Sequence, residues 1–323
     1  MKVFDAIVVG GGVAGSASAM ELTRLGMRVC LLDRRGPIGG LECLSPFAVR
    51  ALMRLPIAIK PEGCDLVAWW QPPSATRRRC KDATVLCRQH LANLLIAGAE
   101  AMGVCIYQCL SIRALARRSA AWHIQFQTSD RTTQWARGSF LVDSTGRSAV
   151  ISSLLGARRI HADRLYASSA AALPASNVGS GSWTERCRDG WWNLTANGER
   201  ATLTFFSLGS VVIETKDRFR EHLSQTAQIK RLVSALGWDL PQVRLANSSL
   251  STRCSGPGWC AVGDSVSTIQ PLSAAGVAKA LRDAQRVTDC LLHSAVEYAE
   301  FQVDQFQDYL HLLRRQYAFE KNA

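Results

Sequence analysis

Apolar runs and small residues alternate in a regular way at the start of the chain. Residues 6–9 form a short apolar run, small residues follow from 14 to 19 before Met20, Leu22 and Leu25, and residues 29–32 form a second apolar run. Apolar runs of this length are typical of buried strands, and the segment between them is long enough for a helix. The pattern predicts strand, tight turn, helix and strand over residues 5–33.

Later segments carry alternating and helical patterns in turn, which indicates a mixed α/β protein. Helices are predicted over residues 47–55, 82–102, 218–236, 277–292 and about 297–317. A small meander is predicted from strands at 104–107, 111–115, 121–128 and 132–138, followed by short strands at 140–142 and 258–262. An antiparallel sheet is predicted from strands at 165–173, 190–195, 201–207 and 210–215, with strands and loops at 56–82.

Gly10, Gly12 and Gly15 form the spacing G-x-G-x-x-G between the first strand and the first helix. Gly10 permits the tight turn, Gly12 lets the backbone approach a pyrophosphate, and Gly15 lets helix and strand pack closely. Asp33 ends the second strand, where an acidic group meets a ribose hydroxyl. Strand, glycines, helix and acid together predict a dinucleotide site, with the helix N-terminus facing the phosphates.

Two further strand ends show acidic and small residues. Asp143 and Gly146 follow the apolar run 140–142, and Gly263 and Asp264 follow the run 258–262. The small-residue segment 271–276 then leads into a predicted helix, whose free N-terminal amides can face a developing negative charge. These strand ends are candidate cofactor contacts, whereas the alternative interpretation is that they are turn and cap residues only.

Composition favours an ordinary water-soluble globular protein. The 323 residues are 47% hydrophobic and 20% charged, and no apolar run approaches the roughly 18 residues of a membrane span. The first strand begins so early that we expect no signal peptide, and hence a cytoplasmic protein. The eleven cysteines are scattered without a C-x-x-C pair, so reduced and mostly buried thiols are expected. The six histidines do not predict a metal site.

The net charge of +12 favours an acidic partner. Arg77, Arg78, Arg79 and Lys81 form the densest basic cluster. We expect an acidic substrate or carrier to dock there, against the alternative of a solvated basic face. Nucleic acid is disfavoured because no recognition motif accompanies the charge.

Four blocks in this order resemble the para-hydroxybenzoate hydroxylase type of FAD fold: the first βαβ unit, Arg88 on its helix, residues 143–147 and residues 263–276. Group A monooxygenases, flavin-dependent halogenases and geranylgeranyl reductases share that fold. The resemblance implies an α/β FAD-binding Rossmann fold, an interleaved antiparallel β-sheet substrate domain and C-terminal helices. The implied FAD-binding domain comprises residues 1–55, 83–163 and 254–294, the substrate domain 56–82 and 164–253, and the C-terminal helix 295–323.

Finer features resemble the LodB-like flavoproteins that serve the maturation of quinone-cofactor oxidases. Residues 42–46 (ECLSP), 189–193 (DGWWN) and 261–273 are similar to that branch's motifs. Leu41, Asn193 and Gln270 depart from its pattern, and the halogenase motif W-x-W-x-I-P is absent.

The resemblance implies a set of site residues and a cofactor. Implied FAD contacts are Gly10, Gly12, Val13, Ala14, Gly15, Asp33, Arg34, Glu42, Cys43, Arg88, Asp143, Gly146, Gly263, Asp264, Pro271, Ser273, Ala274, Ala275 and Gly276. Trp191 and Trp192 are candidate substrate residues, and on a strand they would point to opposite faces. One would then line the flavin-facing pocket while the other packs in the core.

The implied activity is hydroxylation of an electron-rich ring, such as a tryptophan of a precursor polypeptide, with oxygen activated by reduced FAD. A reductase or halogenase of a small natural product and a flavin-bound maturation chaperone without turnover stay open as alternatives. Since only one dinucleotide fingerprint is present, electrons are expected from transiently bound NAD(P)H or from a separate flavin reductase.

Overall fold

The computed structural model describes residues 2–36, 38–71, 74–172, 177–209, 211–234 and 236–318. Residue 173 of the strand predicted at 165–173, residue 210 of the strand predicted at 210–215, residue 235 of the helix predicted at 218–236, and the last five residues of the predicted C-terminal segment therefore lie outside the described residues. Among the described residues, no helix combines the length and apolar character needed to cross a bilayer.

The structure combines helices with strands, and several runs of strands follow one another directly in the chain. The strands are β1 (Lys2–Val9), β2 (Val29–Asp33), β3 (Leu41–Leu44), β4 (Cys64–Gln71), β5 (Ser74–Cys80), β6 (Thr84–Cys87), β7 (Cys105–Gln108), β8 (Ser111–Arg118), β9 (Ala121–Gln127), β10 (Thr133–Asp143), β11 (Arg159–His161), β12 (Leu165–Ala172), β13 (Ser180–Cys187), β14 (Gly190–Asn197), β15 (Ala201–Leu208), β16 (Gln242–Leu245), β17 (Ser249–Ser251), β18 (Ser255–Gly256), β19 (Trp259–Ala261) and β20 (Ser267–Thr268). The helices are α1 (Val13–Arg24), α2 (Pro46–Leu52), α3 (Arg88–Ala101), α4 (Val150–Leu154), α5 (Lys216–Ser224), α6 (Ile229–Leu232), α7 (Gly276–Gln285), α8 (Val287–Leu292) and α9 (Ala295–Ala318).

The first sheet has the order β18-β19-β10-β1-β2-β7, with β9 and β8 extending from β10. The pairings from β19 through β10, β1 and β2 to β7 are all parallel. This arrangement confirms the βαβ unit predicted over residues 5–33. Because the carboxyl ends of parallel strands lie at one edge, it also brings the ends of β1, β2, β10 and β19 together.

Two strand predictions in this sheet are wrong in detail. The run at 104–107 was expected in the meander, but β7 lies in the parallel sheet beside β2. The strands expected at 132–138 and 140–142 are one strand, β10, since β1 pairs continuously with its residues 136–143. Its first half also pairs with β9 and its last three residues with β19.

The second large sheet has the order β16-β12-β15-β14-β13-β4-β5. It is antiparallel apart from the parallel pair β13 and β4. A buried apolar cluster that includes Trp192 and Phe205 fills the space between one face of this sheet and α5 and α6. Two small sheets, β3-β6 and β11-β17-β20, complete the described part of the chain.

The helix predicted over residues 218–236 is divided into α5 and α6. The carboxylate of Glu185, on β13, accepts hydrogen bonds from the amides of residues 227–229 at 2.6–3.0 Å. Those amides therefore bond a distant side chain rather than the preceding helical turn, which ends α5 and begins α6.

The strand predicted at 210–215 is not found over residues 211–215. The amide of Ile213 donates to the hydroxyl of Ser168 at 3.3 Å rather than to a strand partner. Thr215 is the N-cap of α5, where its hydroxyl accepts from the amide of Arg218. The apolar side chain of Ile213 is buried in the core without belonging to a sheet.

The helix predicted at 277–292 is likewise two consecutive helices, α7 and α8, and the helix predicted at 47–55 ends at Leu52. The last helix is confirmed as α9. Seven of the eleven cysteines are buried and all are free thiols in the structure, which confirms the expectation of buried small apolar residues.

Candidate functional site

The three glycines of the turn between β1 and α1 have different surroundings. Two of them have no room for a side chain, and one borders open space. Gly10 has a φ of +106°, and a Cβ there would lie 2.3 Å from the carbonyl oxygen of Ser144. A Cβ on Gly15 would lie 1.8 Å from the carbonyl oxygen of Gly10. A Cβ on Gly12 would meet no atom of the described part of the chain within 4 Å, and its backbone is in an ordinary extended conformation. Gly12 therefore borders open space, as the predicted approach of a pyrophosphate requires.

The N-terminus of α1 borders that open space. No side chain caps the helix there, and its first turn contains no acidic residue. The first amides of a helix have no partner within the helix, and they carry a partial positive charge. Gly12 is exposed, and the amides of Val13 and Ala14, which follow it at the helix start, are not capped by a side chain among the described residues. This arrangement fits a phosphate-binding turn.

Asp33 lies at the carboxyl end of β2, beside the turn. Its Oδ1 accepts from the amide of Gly11 at 2.9 Å and its Oδ2 from the amide of Arg35 at 3.2 Å. The side chain is half-buried and Arg34 next to it is exposed. The position therefore matches that of a ribose acceptor, while the carboxylate also holds the glycine turn in place.

Arg88 is the first residue of α3. The helix was predicted from residue 82, which is wrong, because residues 84–87 form strand β6 and pair with β3. The Nε of Arg88 donates to Oε2 of Glu42 at 2.8 Å, and its amide donates to the carbonyl of Gly40 at 3.1 Å. Two implied cofactor contacts are thus joined to each other. Cys43, the next residue of β3, packs into an apolar cluster with Cys64 and Cys80, so Glu42 extends from the opposite side of the strand.

Asp143 is fully buried at the end of β10, and protein donors surround its carboxylate. Oδ1 accepts from the amide and hydroxyl of Thr145 at 3.0 and 2.6 Å and from the hydroxyl of Ser265 at 3.3 Å. Oδ2 accepts from the amide and hydroxyl of Ser152 at 2.7 and 2.6 Å. The side chain therefore ties together β10, α4 and the Gly263–Ser265 turn. Its implied contact with the cofactor stays a prediction, as does that of Gly146, which has a φ of +70°.

Asp264 presents a more open carboxylate. Its side chain is 41% exposed, and Nε of Arg147 lies 3.6 Å from its Oδ2. The guanidinium of Arg159 donates to the carbonyl oxygen of Asp264, and burial lowers the pKa of that guanidinium. Asp264 is therefore held by its backbone while its carboxylate can accept from ribityl hydroxyls.

The segment before α7 forms a short 3₁₀ turn at Pro271–Ser273. Ala274 then adopts a φ of +48°, and α7 begins at Gly276 with no side-chain cap at Ala275. The helix start predicted for this segment is confirmed within one residue. Its uncapped amides are free to face a ligand.

Gln270, one of the residues that depart from the LodB-like pattern, is held by two hydrogen bonds. Its side-chain amide donates to Oδ2 of Asp163 at 2.9 Å, and its backbone amide donates to the hydroxyl of Tyr309 at 2.9 Å. That hydroxyl also bonds Ser248 at 2.6 Å, and burial raises the pKa of Tyr309. Helix α9 therefore fixes the residue that precedes Pro271.

Trp191 and Trp192 lie on β14 and point to opposite faces, as predicted. Trp191 stacks on Phe206 with ring centroids 5.1 Å apart, in a cluster against which Leu272 packs. Trp192 contacts Phe205 at 5.0 Å and Phe219 at 4.9 Å on the face covered by α5. Both rings are buried. Trp191 lies on the side of the 271–276 segment, whereas Trp192 lies on the side of α5. Their roles toward a substrate stay predictions.

Two charged residues near the site were missed from the sequence. Lys279 and Asp283 are buried on α7 and bond the backbone of Gly263. Their only local signal is the i, i+4 spacing of opposite charges on the face of α7 that also carries buried apolar residues.

Comparison with known proteins agrees with this geometry. Residues 5–41 match the family model "FAD dependent oxidoreductase". Over 349 positions the chain is 27% identical to LodB of Marinomonas mediterranea, which is described as an FAD-dependent oxidoreductase; the match covers 99% of this chain and 94% of LodB. The predicted LodB-like resemblance is therefore confirmed.

Solved structures confirm the fold class. The flavin-dependent halogenase CmlS superposes with a TM-score of 0.82 at 18% identity, covering 99% of this chain. This chain spans only 65% of the length of CmlS. The peptidyl tryptophan dihydroxylase QhpG, essential for tryptophylquinone cofactor biogenesis, superposes with a TM-score of 0.76 at 19% identity, covering 98% of this chain and 74% of QhpG. The chain thus has the FAD-binding fold of flavin-dependent halogenases and monooxygenases.

Proposed function

We propose that this LodB-like FAD-dependent oxidoreductase is a monooxygenase that hydroxylates an electron-rich aromatic ring, with a tryptophan side chain of a precursor polypeptide in quinone-cofactor maturation as the leading substrate. One observation carries the proposal. The glycine turn, Asp33 and Asp264 follow the parallel strands β1, β2 and β19 of one sheet, and Leu272, in the segment that leads to the uncapped start of α7, packs against the aromatic cluster of Trp191. Full-length similarity to LodB and the fold shared with QhpG support it.

Each part of the chain has a defined task in this proposal. FAD, when bound, supplies the oxygen chemistry. The start of α1 and Asp33 would hold its diphosphate and ribose, Glu42 on β3 and Arg88 on α3 would contact it, and Asp264 would accept from its ribityl chain. The amides that begin α7 would stabilise negative charge at the pyrimidine end of the flavin.

The aromatic wall of the second sheet has the task of orienting the substrate ring and excluding water. Trp191, Phe206 and Trp70 form this wall, with Trp191 and Trp70 centroids 6.2 Å apart. A dry and rigid wall keeps the reacting atoms aligned and prevents wasteful side reactions with water.

Product analysis under ¹⁸O₂ tests the activity and separates its alternatives. Reduced FAD-loaded protein would be mixed with ¹⁸O₂, bromide and a tryptophan-containing acidic peptide, and the peptide analysed by mass spectrometry. We expect one or more ¹⁸O atoms on the indole. Bromine on the ring would establish the halogenase alternative, which the fold shared with CmlS favours. If the flavin is fully oxidised and the peptide is unchanged, a reductase and a maturation chaperone without turnover are the functions that stay open.

We further propose that the substrate is acidic and docks on β5. This strand is the edge of the second sheet, and Arg77, Arg78 and Arg79 on it are exposed. Arg79 pairs with Asp65 at 3.2 Å, whereas Arg77 and Arg78 have no ion pair within the described ranges. Two adjacent cations on an edge strand attract an acidic segment over a distance set by the Debye length, about 8 Å at physiological salt.

Charge reversal tests the docking site. Arg77→Glu/Arg78→Glu should weaken binding of the acidic peptide by about tenfold at low salt and flatten the salt dependence of its affinity. The matched control is Arg117→Glu/Arg118→Glu, which makes the same change on β8, an edge strand of the other sheet. Equal affinities and equal salt slopes in both variants would remove β5 as the docking site.

Reducing equivalents come, in this proposal, from transiently bound NAD(P)H or from a separate flavin reductase in the cytoplasm. Anaerobic mixing of the FAD-loaded protein with NADPH or NADH distinguishes the two routes. Rapid bleaching of the flavin indicates direct reduction, and no bleaching without an added reductase indicates a separate donor.

A further inference from the structure

A buried ion pair on α7 holds both polar groups of one backbone residue. Nζ of Lys279 donates to the carbonyl oxygen of Gly263 at 2.9 Å and to Oδ2 of Asp283 at 2.7 Å. The same Oδ2 accepts from the amide of Gly263 at 3.1 Å. Lysine, aspartate and the peptide groups on either side of Gly263 therefore form one closed set of hydrogen bonds.

Both charges are withdrawn from water. The side chain of Lys279 is 7% exposed and that of Asp283 is fully buried. Oδ1 of Asp283 has no hydrogen-bond partner among the described residues, and Nε of Arg282 lies 3.9 Å from it. Taking two charges out of water is costly, and a packed apolar pair of the same size is often as stable or more stable. Stability alone is therefore a weak reason for this pair.

Gly263 joins the two halves of the proposed FAD site. It has a φ of +62°, and a Cβ on it would lie 2.7 Å from the Cβ of Ala14 in the first turn of α1. It directly precedes Asp264, whose carboxylate is open. Any shift of Gly263 would move Asp264 relative to the glycine turn that faces the pyrophosphate.

We propose that Lys279 and Asp283 are positioning residues for FAD. They fix the peptide groups of Gly263, so that Asp264 and the start of α1 are already at the right separation before the cofactor binds. Neither residue needs to touch the cofactor, because the effect passes through the backbone of Gly263. This inference rests on the proposed use of FAD and adds residues that neither the glycine fingerprint nor the strand-end motifs contain.

FAD titration of the apoprotein tests the proposal without an activity assay. Lys279→Met/Asp283→Leu replaces the pair by apolar side chains of similar size, and we expect a folded apoprotein whose Kd for FAD is raised by about tenfold or more, which corresponds to about 1.4 kcal/mol. Lys279→Gln/Asp283→Asn keeps a neutral donor and acceptor beside Gly263, and its Kd should stay within about threefold of the parent. A purely structural role predicts no such rescue of FAD affinity.

The exposed pair Arg286 and Asp289 provides the control. These side chains lie 3.2 Å apart and are each 40% exposed. Arg286→Gln/Asp289→Asn should leave the Kd for FAD unchanged. A folded Met/Leu variant that binds FAD within about twofold of the parent would overturn the positioning role. A parent protein that binds no FAD at all would instead overturn the proposed function.

Hydrogen exchange keeps the proposal testable if the Met/Leu variant does not fold. In the parental apoprotein we expect the amide of Gly263 to exchange slowly, and addition of FAD to change its rate little. Fast exchange without FAD, followed by protection on binding, would show that the cofactor and not the ion pair orders this turn.

Discussion

At the scale of single residues, the glycines of the first turn have different physical requirements. Gly12 has an ordinary backbone conformation and open space beside it, so the folded protein has no need of a glycine there. Gly12→Val should leave the melting temperature of the apoprotein within about 2 °C of the parent, since changes away from packed features have small effects. FAD binding should be lost because the side chain would occupy the place of the pyrophosphate.

Gly10→Ala provides the contrast, because its Cβ would collide with the backbone of Ser144. We expect this variant to destabilise the apoprotein by several kcal/mol, about the size of the strain and overpacking penalties. Thermal unfolding of both apoproteins measures the difference. A Gly12→Val protein that binds FAD like the parent would show that the open space is not the cofactor site.

Asp143, at the end of β10, and Asp264, after β19, should differ in what their loss changes: stability for Asp143 and FAD affinity for Asp264. Asp143→Asn leaves several donors facing an amide group, and we expect urea unfolding to show a loss of about 3 kcal/mol. Asp264→Asn changes a half-exposed carboxylate, so stability should be retained while affinity for FAD falls. If Asp264→Asn lowered stability and Asp143→Asn did not, the structural role proposed for Asp143 and the binding role proposed for Asp264 would both be wrong.

At the scale of elements, β14 sends its two tryptophans to different environments. Trp192 is buried in the core, and its Nε1 has no hydrogen-bond partner among the described residues, so Trp192→Phe removes an unsatisfied donor together with some volume. Its stability should change by no more than about 1 kcal/mol, and its turnover should equal that of the parent. Trp191→Phe should instead lower the yield of product per flavin oxidised, because Trp191 belongs to the wall near Leu272. If Trp192→Phe lowered the product yield and Trp191→Phe did not, the substrate would bind on the Trp192 face of the sheet, contrary to this proposal.

Local patterns predicted the elements that depend on neighbours in sequence. The glycine turn, the start of α7 and the opposite faces of the tryptophan pair all follow from spacing within a few residues. The helix expected at 218–236 was wrong because Glu185, on a strand far away in the chain, binds the amides at the break. No pattern within 218–236 carries that information.

At the scale of the whole molecule, the order of the four sequence blocks predicted a fold that the superposition on CmlS and QhpG confirms. The surroundings of Asp143 and Cys43 could not be predicted from local patterns, because they come from several elements at once. Lys279 and Asp283 were missed for the same reason, since Gly263 is their partner only after β19 and α7 pack together.

A single-turnover experiment with ¹⁸O₂ tests monooxygenation by FAD most directly. FAD-loaded protein would be reduced without oxygen, mixed with a tryptophan-containing acidic peptide and exposed to ¹⁸O₂, and the ¹⁸O in the peptide compared with the flavin oxidised. We expect close to one ¹⁸O atom in the peptide for each FAD oxidised, and none with the Gly12→Val protein. Complete oxidation of the flavin with no ¹⁸O in the peptide or in any other aromatic substrate supplied would contradict the proposed activity.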